Sequence, residues 1–107
     1  IGRALQQIHA ELQRPWTVAT LASSVGMSRA AFAELFAKKV GESPMRYLQQ
    51  CRIHEAAGLI TATELSFSEI GRRVGYTDPT AFSRAFRRET GRSAREYRQV
   101  KSIRSAE

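Results

Sequence analysis

The chain of 107 residues has one cysteine, three prolines, one tryptophan and ten acidic side chains against seventeen basic ones. A lone Cys51 excludes an internal disulfide framework and suits a reducing cytoplasm. No apolar run approaches the roughly 20 residues of a bilayer span, and no charged-then-apolar leader opens the chain, so no membrane association is expected. Strand signals are nearly absent, since no stretch rich in Val, Ile and Thr alternates apolar with polar residues. His9, His54 and Cys51 do not gather as a zinc site requires. No nucleophile–base pair or glycine-rich phosphate loop stands out either, so neither a metal, a cofactor nor catalysis is expected.

What is abundant is positive charge and helical periodicity. The net charge of +7 favours polyanionic partners, nucleic acid first and an anionic membrane surface second. The charge is unevenly placed: between Arg72 and Arg104 only Asp78, Glu89 and Glu96 oppose nine arginines and Lys101. Helix signals follow one another along the whole chain. Leu5, Ile8 and Leu12 predict a first amphipathic helix ending near Arg14-Pro15. Thr17 caps a second running to about Val25, and Gly26 supplies a turn. Ser28 caps a third with Phe32, Leu35, Phe36 and Val40 on its buried stripe, stopped at Gly41.

Ser43-Pro44 opens a fourth helix to about Ile60, with Leu48, Ile53, Ala56, Leu59 and Ile60 inward. Ser66 to Glu69 reads as a capping box with Leu65 and Ile70 as its hydrophobic staple. That fifth helix ends before Gly75. Asp78-Pro79 starts a sixth with Phe82, Ala85 and Phe86 inward. Ser93 to Glu96 is another capping box and opens a seventh helix. Trp16, Met27, Tyr47, Tyr76 and Tyr97 are read as packing residues, not as base-stacking platforms.

Two stretches repeat. Val25-Gly26 matches Val74-Gly75 at an offset of 49, and one extra residue in the second turn makes the offset 50 thereafter. Ser28, Phe32, Phe36, Lys38, Gly41, Ser43 and Tyr47 then match Asp78, Phe82, Phe86, Arg88, Gly91, Ser93 and Tyr97. The matches are caps, turn glycines and core aromatics, the positions that fix a backbone. Each copy is a short helix, a glycine turn and a longer helix, the pattern of a helix-turn-helix. The expected fold is therefore all-α, with seven helices in two helix-turn-helix subdomains. The first covers 1–42, a linker helix 43–61, the second 62–101, and 102–107 is a frayed tail. A linker of about 17 residues at about 1.5 Å rise spans roughly 26 Å. With the width of the flanking units added, both second helices could reach major-groove faces about 34 Å apart.

Helical spacing turns Thr80, Ser83, Arg84 and Arg87 outward on the sixth helix. Arg84 can bond guanine O6 and N7 together, while Thr80 and Ser83 can meet a base edge. Thr77, Arg87 and Arg88 suit phosphate. On the third helix the same offset puts Ala30, Ala33 and Glu34 in the reading positions. The alanines allow only close approach and contact with thymine methyls, and Glu34 can accept from cytosine N4 but repels phosphate. Arg29 is that copy's main donor to bases, with Ser28 and Lys38 as its phosphate candidates. The halves are expected to be unequal, with the second carrying more polar readout.

These residues resemble the C-terminal DNA-binding domain of the AraC/XylS family of transcriptional regulators. The similarity runs from about Ile8 to Tyr97. It is carried by Trp16-Thr17-Val18, Leu21-Ala22 and Gly26-Met27-Ser28, then by Gly41 to Pro44, Tyr47-Leu48, Arg52 and Ala56. It is most specific over Glu69-Ile70, Val74-Gly75-Tyr76, Phe82 to Arg87 and Gly91 to Tyr97. The resemblance implies two recognition helices in adjacent major grooves, read by Ala30, Ala33 and Glu34 and by Thr80, Ser83 and Arg84. It also implies bacterial transcription regulation, with double-stranded DNA and RNA polymerase as partners and a cytoplasmic, nucleoid-associated location. A small-molecule effector would act through an N-terminal domain absent from a chain that starts at Ile1. The chain departs from the family pattern in three places: Gly71 replaces an alanine, which should loosen the fifth helix, Ala94 replaces a proline, and Ala30, Ala33 and Glu34 lack the donors of the family's polar readout by the first reading helix.

Other classes stay open at the level of sequence. A helical interaction module could offer its basic face to an acidic partner, and a DNA-targeting module could be fused to an enzyme. Weak, steeply salt-dependent binding without sequence preference would indicate an architectural protein.

Overall fold

A computed structural model describes the backbone of residues 1–106 and the side chains of residues 1–100. Among the described residues there are seven helices and no strand: α1 Gly2–Ala10, α2 Val18–Ser24, α3 Arg29–Val40, α4 Pro44–Ala62, α5 Phe67–Arg73, α6 Pro79–Thr90 and α7 Ala94–Ala106. None of them is long and apolar enough to cross a membrane. The expected frayed tail at 102–107 lies outside the residues described in full.

Caps set most boundaries. Thr17 and Thr20 close a reciprocal capping box at α2, the Thr17 hydroxyl accepting from the Thr20 N–H and the Thr20 hydroxyl from the Thr17 N–H. Ser93 and Glu96 do the same at α7. At α5 only half the expected box forms. Ser66 accepts from the Glu69 N–H, but the Glu69 carboxylate turns to Arg72 and Arg73, because two guanidinium donors compete with one backbone amide. The first helix is shorter than its apolar spacing predicts. It ends at Ala10, with Glu11 at φ −139°, and Leu12 packs on the core from the turn that follows. The Glu11 carbonyl accepts the Trp16 indole N–H at 3.0 Å, so the chain reverses here to seat Trp16.

The chain divides into two compact units, Ile1–Cys51 and Arg52–Glu107. Ala4, Ile8, Trp16, Leu21, Phe32, Phe36 and Leu48 form the core of the first. Leu35, expected inside, is only half-buried and takes no part in that core, because the Phe32–Phe36 pair at 5.6 Å already fills the inner face of α3. Tyr47 also has a polar partner: His9 Nε2 lies 2.8 Å from its hydroxyl. Burial pushes the Cys51 thiol up, which marks it as a packing group and not a nucleophile.

Ile53, Ala56, Ile60, Ile70, Val74, Phe82, Ala85 and Phe86 form the core of the second unit. The division falls inside α4, so the helix set apart at 43–61 by its sequence lends side chains to both cores. Arg98 on α7 ties the second unit together. Its Nε donates to the Ile60 carbonyl at 3.1 Å, and its terminal nitrogen donates to Leu65 at 2.9 Å and Thr63 at 3.3 Å. The guanidinium also sits 4.7 Å over the Phe67 ring. One side chain thus satisfies a carbonyl at the open end of α4 and fixes the loop into α5. Arg98→Ala is expected to lower stability by about 2 kcal/mol, read by urea unfolding, and lysine should not restore it because an ammonium lacks the planar fork. A loss below about 0.5 kcal/mol would mean that water replaces the guanidinium at no cost.

Candidate nucleic-acid interface

In each unit a short helix, a turn and a longer helix follow one another. Gly26 holds φ +70° between α2 and α3, and Gly75 holds φ +107° between α5 and α6. At Gly75 the left-handed backbone is not the only constraint: a Cβ there would lie 2.8 Å from Arg52 Nε. Arg52 fills the space beside the turn and reaches over the Tyr76 ring at 5.9 Å. The turn needs glycine for conformation and for space, and its rigidity sets where α6 begins.

α6 is a two-sided helix. Phe82, Ala85 and Phe86 are buried, with Phe82 and Phe86 edge to face at 5.9 Å. Thr80, Ser83, Arg84, Arg87 and Arg88 are exposed, as is Thr77 in the turn. Asp78 serves as the cap, accepting the Thr80 N–H at 3.0 Å. Its charge and the missing N–H of Pro79 leave no phosphate seat at this helix start. Among the described residues Arg84 makes no hydrogen bond or ion pair, so its guanidinium is available on the exposed stripe it shares with Thr80 and Ser83. Arg87 and Arg88 differ from it. Arg87 donates to Glu96 at 3.2 Å, and Arg88 lies 3.6 Å from a Glu89 oxygen. Hydrogen bonds from Ser93, with Arg87 adding a smaller share, hold the Glu96 carboxyl below the usual carboxylate range. Arg87 is therefore held against a carboxylate that is ionised at neutral pH.

α3 presents the same geometry with different chemistry. Ser28 caps it through the Ala31 N–H at 3.3 Å. Arg29, Ala30, Glu34 and Lys38 are exposed, whereas Ala33 is half-buried. At the offset of 50, exposed Ala37 stands where Arg87 stands, so the stripe Thr80, Ser83, Arg84, Arg87 becomes Ala30, Ala33, Glu34, Ala37. Two positive charges on one stripe are replaced by one negative charge on the other.

The structure also gathers groups that sequence reading passed over. A cavity of about 100 Å³ beside the second turn is lined by Phe67, Gly71 and Phe82 inside, with Ser68, Arg72, Thr77 and Ser83 among its polar groups. Arg72 is 62% exposed and held by Ser68 at 3.1 Å and by Glu69. It therefore stands near the start of α6, on the same cavity as Thr77 and Ser83. The available signal was the i, i+4 spacing of Ser68 and Arg72 on α5. Gly71, expected only to loosen α5, is buried with the Phe82 ring 3.1 Å from where its Cβ would be. The missing methyl is taken up by close aromatic packing.

The paired turns, caps and reading helices define a tandem helix-turn-helix domain. The model of the family described as "Helix-turn-helix domain" matches residues 21–100. The transcriptional regulator AlkR of Acinetobacter baylyi is 44% identical over 99 residues, which is 92% of this chain and 32% of that protein. The lactose operon transcription activator of Staphylococcus xylosus is 39% identical over 96% of this chain and 37% of its own length. The chain thus spans about a third of the length of these curated relatives. Among solved structures, the DNA-binding domain of AdpA, a global transcriptional factor solved in complex with a target DNA, superposes with a TM-score of 0.93 at 29% identity. That match covers 96% of this chain and 93% of the AdpA domain. The chain belongs to the AraC-type helix-turn-helix family.

Proposed function

We propose that this domain binds double-stranded DNA in a sequence-specific way, with α3 and α6 as recognition helices in adjacent major grooves, and thereby regulates bacterial transcription. The observation that carries the reading is the outer stripe of α6. A helix fixed by a buried aromatic face and a left-handed glycine turn exposes Arg84, unpaired among the described residues, on the same outer stripe as the Thr80 and Ser83 hydroxyls. Arg84, Thr80 and Ser83 read bases in the second groove; Arg29, Ala30, Ala33 and Glu34 face bases in the first. Ser28, Lys38, Thr77, Arg87 and Arg88 hold phosphates, with Arg72 added from the structure. Arg87 must leave Glu96 or share it with a phosphate oxygen to do so.

Kinship with a domain solved on its target DNA supports the duplex as partner, and kinship with a transcription activator supports activation as the outcome. Contact with RNA polymerase, an effector sensed by a further N-terminal domain, the 1–42, 43–61, 62–101 and 102–107 division, and a cytoplasmic, nucleoid-associated location belong to the same proposal. Catalysis has no part in it. Selection of bound duplexes from a random library, at near-physiological salt, is expected to enrich one reproducible motif. Binding without enrichment, falling steeply with salt, would replace this reading by an architectural one.

A further inference from the structure

The two reading stripes are built on the same backbone pattern and carry opposite chemistry. On α3 the exposed or half-exposed residues Ala30, Ala33 and Ala37 lie on one side of the helix with Glu34 among them. Glu34 makes no hydrogen bond or ion pair among the described residues, although Lys38 stands four positions on, the spacing at which a glutamate and a lysine pair best. Arg29 is unpaired as well. The surface therefore holds one available carboxylate in a field of methyl groups, with cations at its ends.

A carboxylate facing DNA is unfavourable against phosphate and against the guanine edge, whose N7 and O6 are acceptors. The cytosine amino group is a pure donor at the major-groove edge, and adenine N6–H₂ stands beside the N7 acceptor that would repel a second oxygen. Cytosine is thus the base that Glu34 accepts without an opposing acceptor. The alanines have no hydrogen-bonding group, and what they can meet in the major groove is the 5-methyl of thymine.

We propose that Glu34 is the specificity-determining residue of the first unit, and that this unit selects a cytosine flanked by thymines on one strand. The second unit reads guanine through Arg84. The inference rests on the assignment of α3 as a major-groove helix. It makes the preferred site asymmetric: a pyrimidine block read by a carboxylate and methyl groups, and a guanine-containing block read by an arginine. It also makes 5-methylation of the flanking pyrimidines a contact in its own right.

The test is random-duplex selection with the chain and with Glu34→Gln. Glu34 is exposed and unpaired, so the variant should fold, which circular dichroism checks. The wild type should enrich both blocks. Glutamine pairs with adenine N6 and N7, so Glu34→Gln should convert the single cytosine position to adenine with about a tenfold preference, leaving the guanine block unchanged. Replacing thymine by uracil beside that cytosine should weaken wild-type binding about fourfold for each methyl buried. An unchanged pyrimidine block in Glu34→Gln, a first block without base preference, or indifference to uracil would each overturn the inference while leaving DNA binding intact. Absence of any enriched motif in the wild type would instead remove the reading on which it rests.

Discussion

Replacing Phe86 by alanine should lower the stability of the second unit by about 3–5 kcal/mol. The ring has no exposed surface and is the junction of an aromatic row, 5.9 Å from Phe82 at 61° and 5.4 Å from Tyr97 at 89°. Both contacts are edge-on, the arrangement in which ring quadrupoles attract. Alanine would remove the buried area and leave a cavity between α6 and α7, neither of which can close it, since Arg98 and the Ser93–Glu96 box fix the start and first turns of α7. Domains of this size have only about 5–15 kcal/mol in all, so much of the unit's margin would go. Thermal or urea unfolding followed by circular dichroism measures it. Leucine should recover about half the loss by refilling volume without the edge contacts. A change under about 1 kcal/mol would show that α7 collapses onto α6 and that the aromatic row is not what holds the reading helix.

Arg84→Ala should abolish discrimination at one guanine, at an affinity cost of about 10–100-fold on the preferred site and little on a site already changed at that base pair. The side chain is exposed and has no partner among the described residues, so the loss is not one of folding. Arg87→Ala is the contrasting case. Its guanidinium faces Glu96 and suits a phosphate, so its removal should weaken all sequences alike and lower the salt slope by about one. Competition titrations on matched and mismatched duplexes at two salt concentrations separate the two behaviours. Equal loss on both duplexes for Arg84→Ala would make it a backbone contact and move base reading elsewhere on α6.

The repeat made the scaffold legible because it preserves the residues that decide backbone geometry locally. Serine, threonine and aspartate caps, turn glycines and the Phe32/Phe36 and Phe82/Phe86 pairs act within a few residues of themselves, and each behaves in the structure as its spacing predicts. What sequence could not give depends on partners far along the chain. Arg98 reaches carbonyls 33 to 38 residues away, and nothing in its own neighbourhood distinguishes it from the other arginines around it. Leu35 has the helical period of a core residue but meets a face already filled by two rings. α1 ends before its apolar spacing does, because that spacing continues to Leu12 after the backbone has turned to seat Trp16.

For the candidate site, periodicity identified which side chains face out but not which are engaged. Spacing separates Arg84 from Arg87 and Arg88 as a base reader from phosphate contacts, but only the fold brings Arg87 to Glu96, nine residues on. Ala33 faces the expected side and yet is half-buried. Arg72 was passed over because it lies on the short helix, and only the fold places it on the same cavity as Ser83.

The most direct measurement is a major-groove footprint of this single chain on its selected duplex, by dimethyl sulfate protection of guanine N7 at one chain per site. If α3 and α6 both read DNA, two protected patches should appear on one face of the duplex, about 10 base pairs apart. One protected patch, or a second that appears only when another copy binds, would contradict the account.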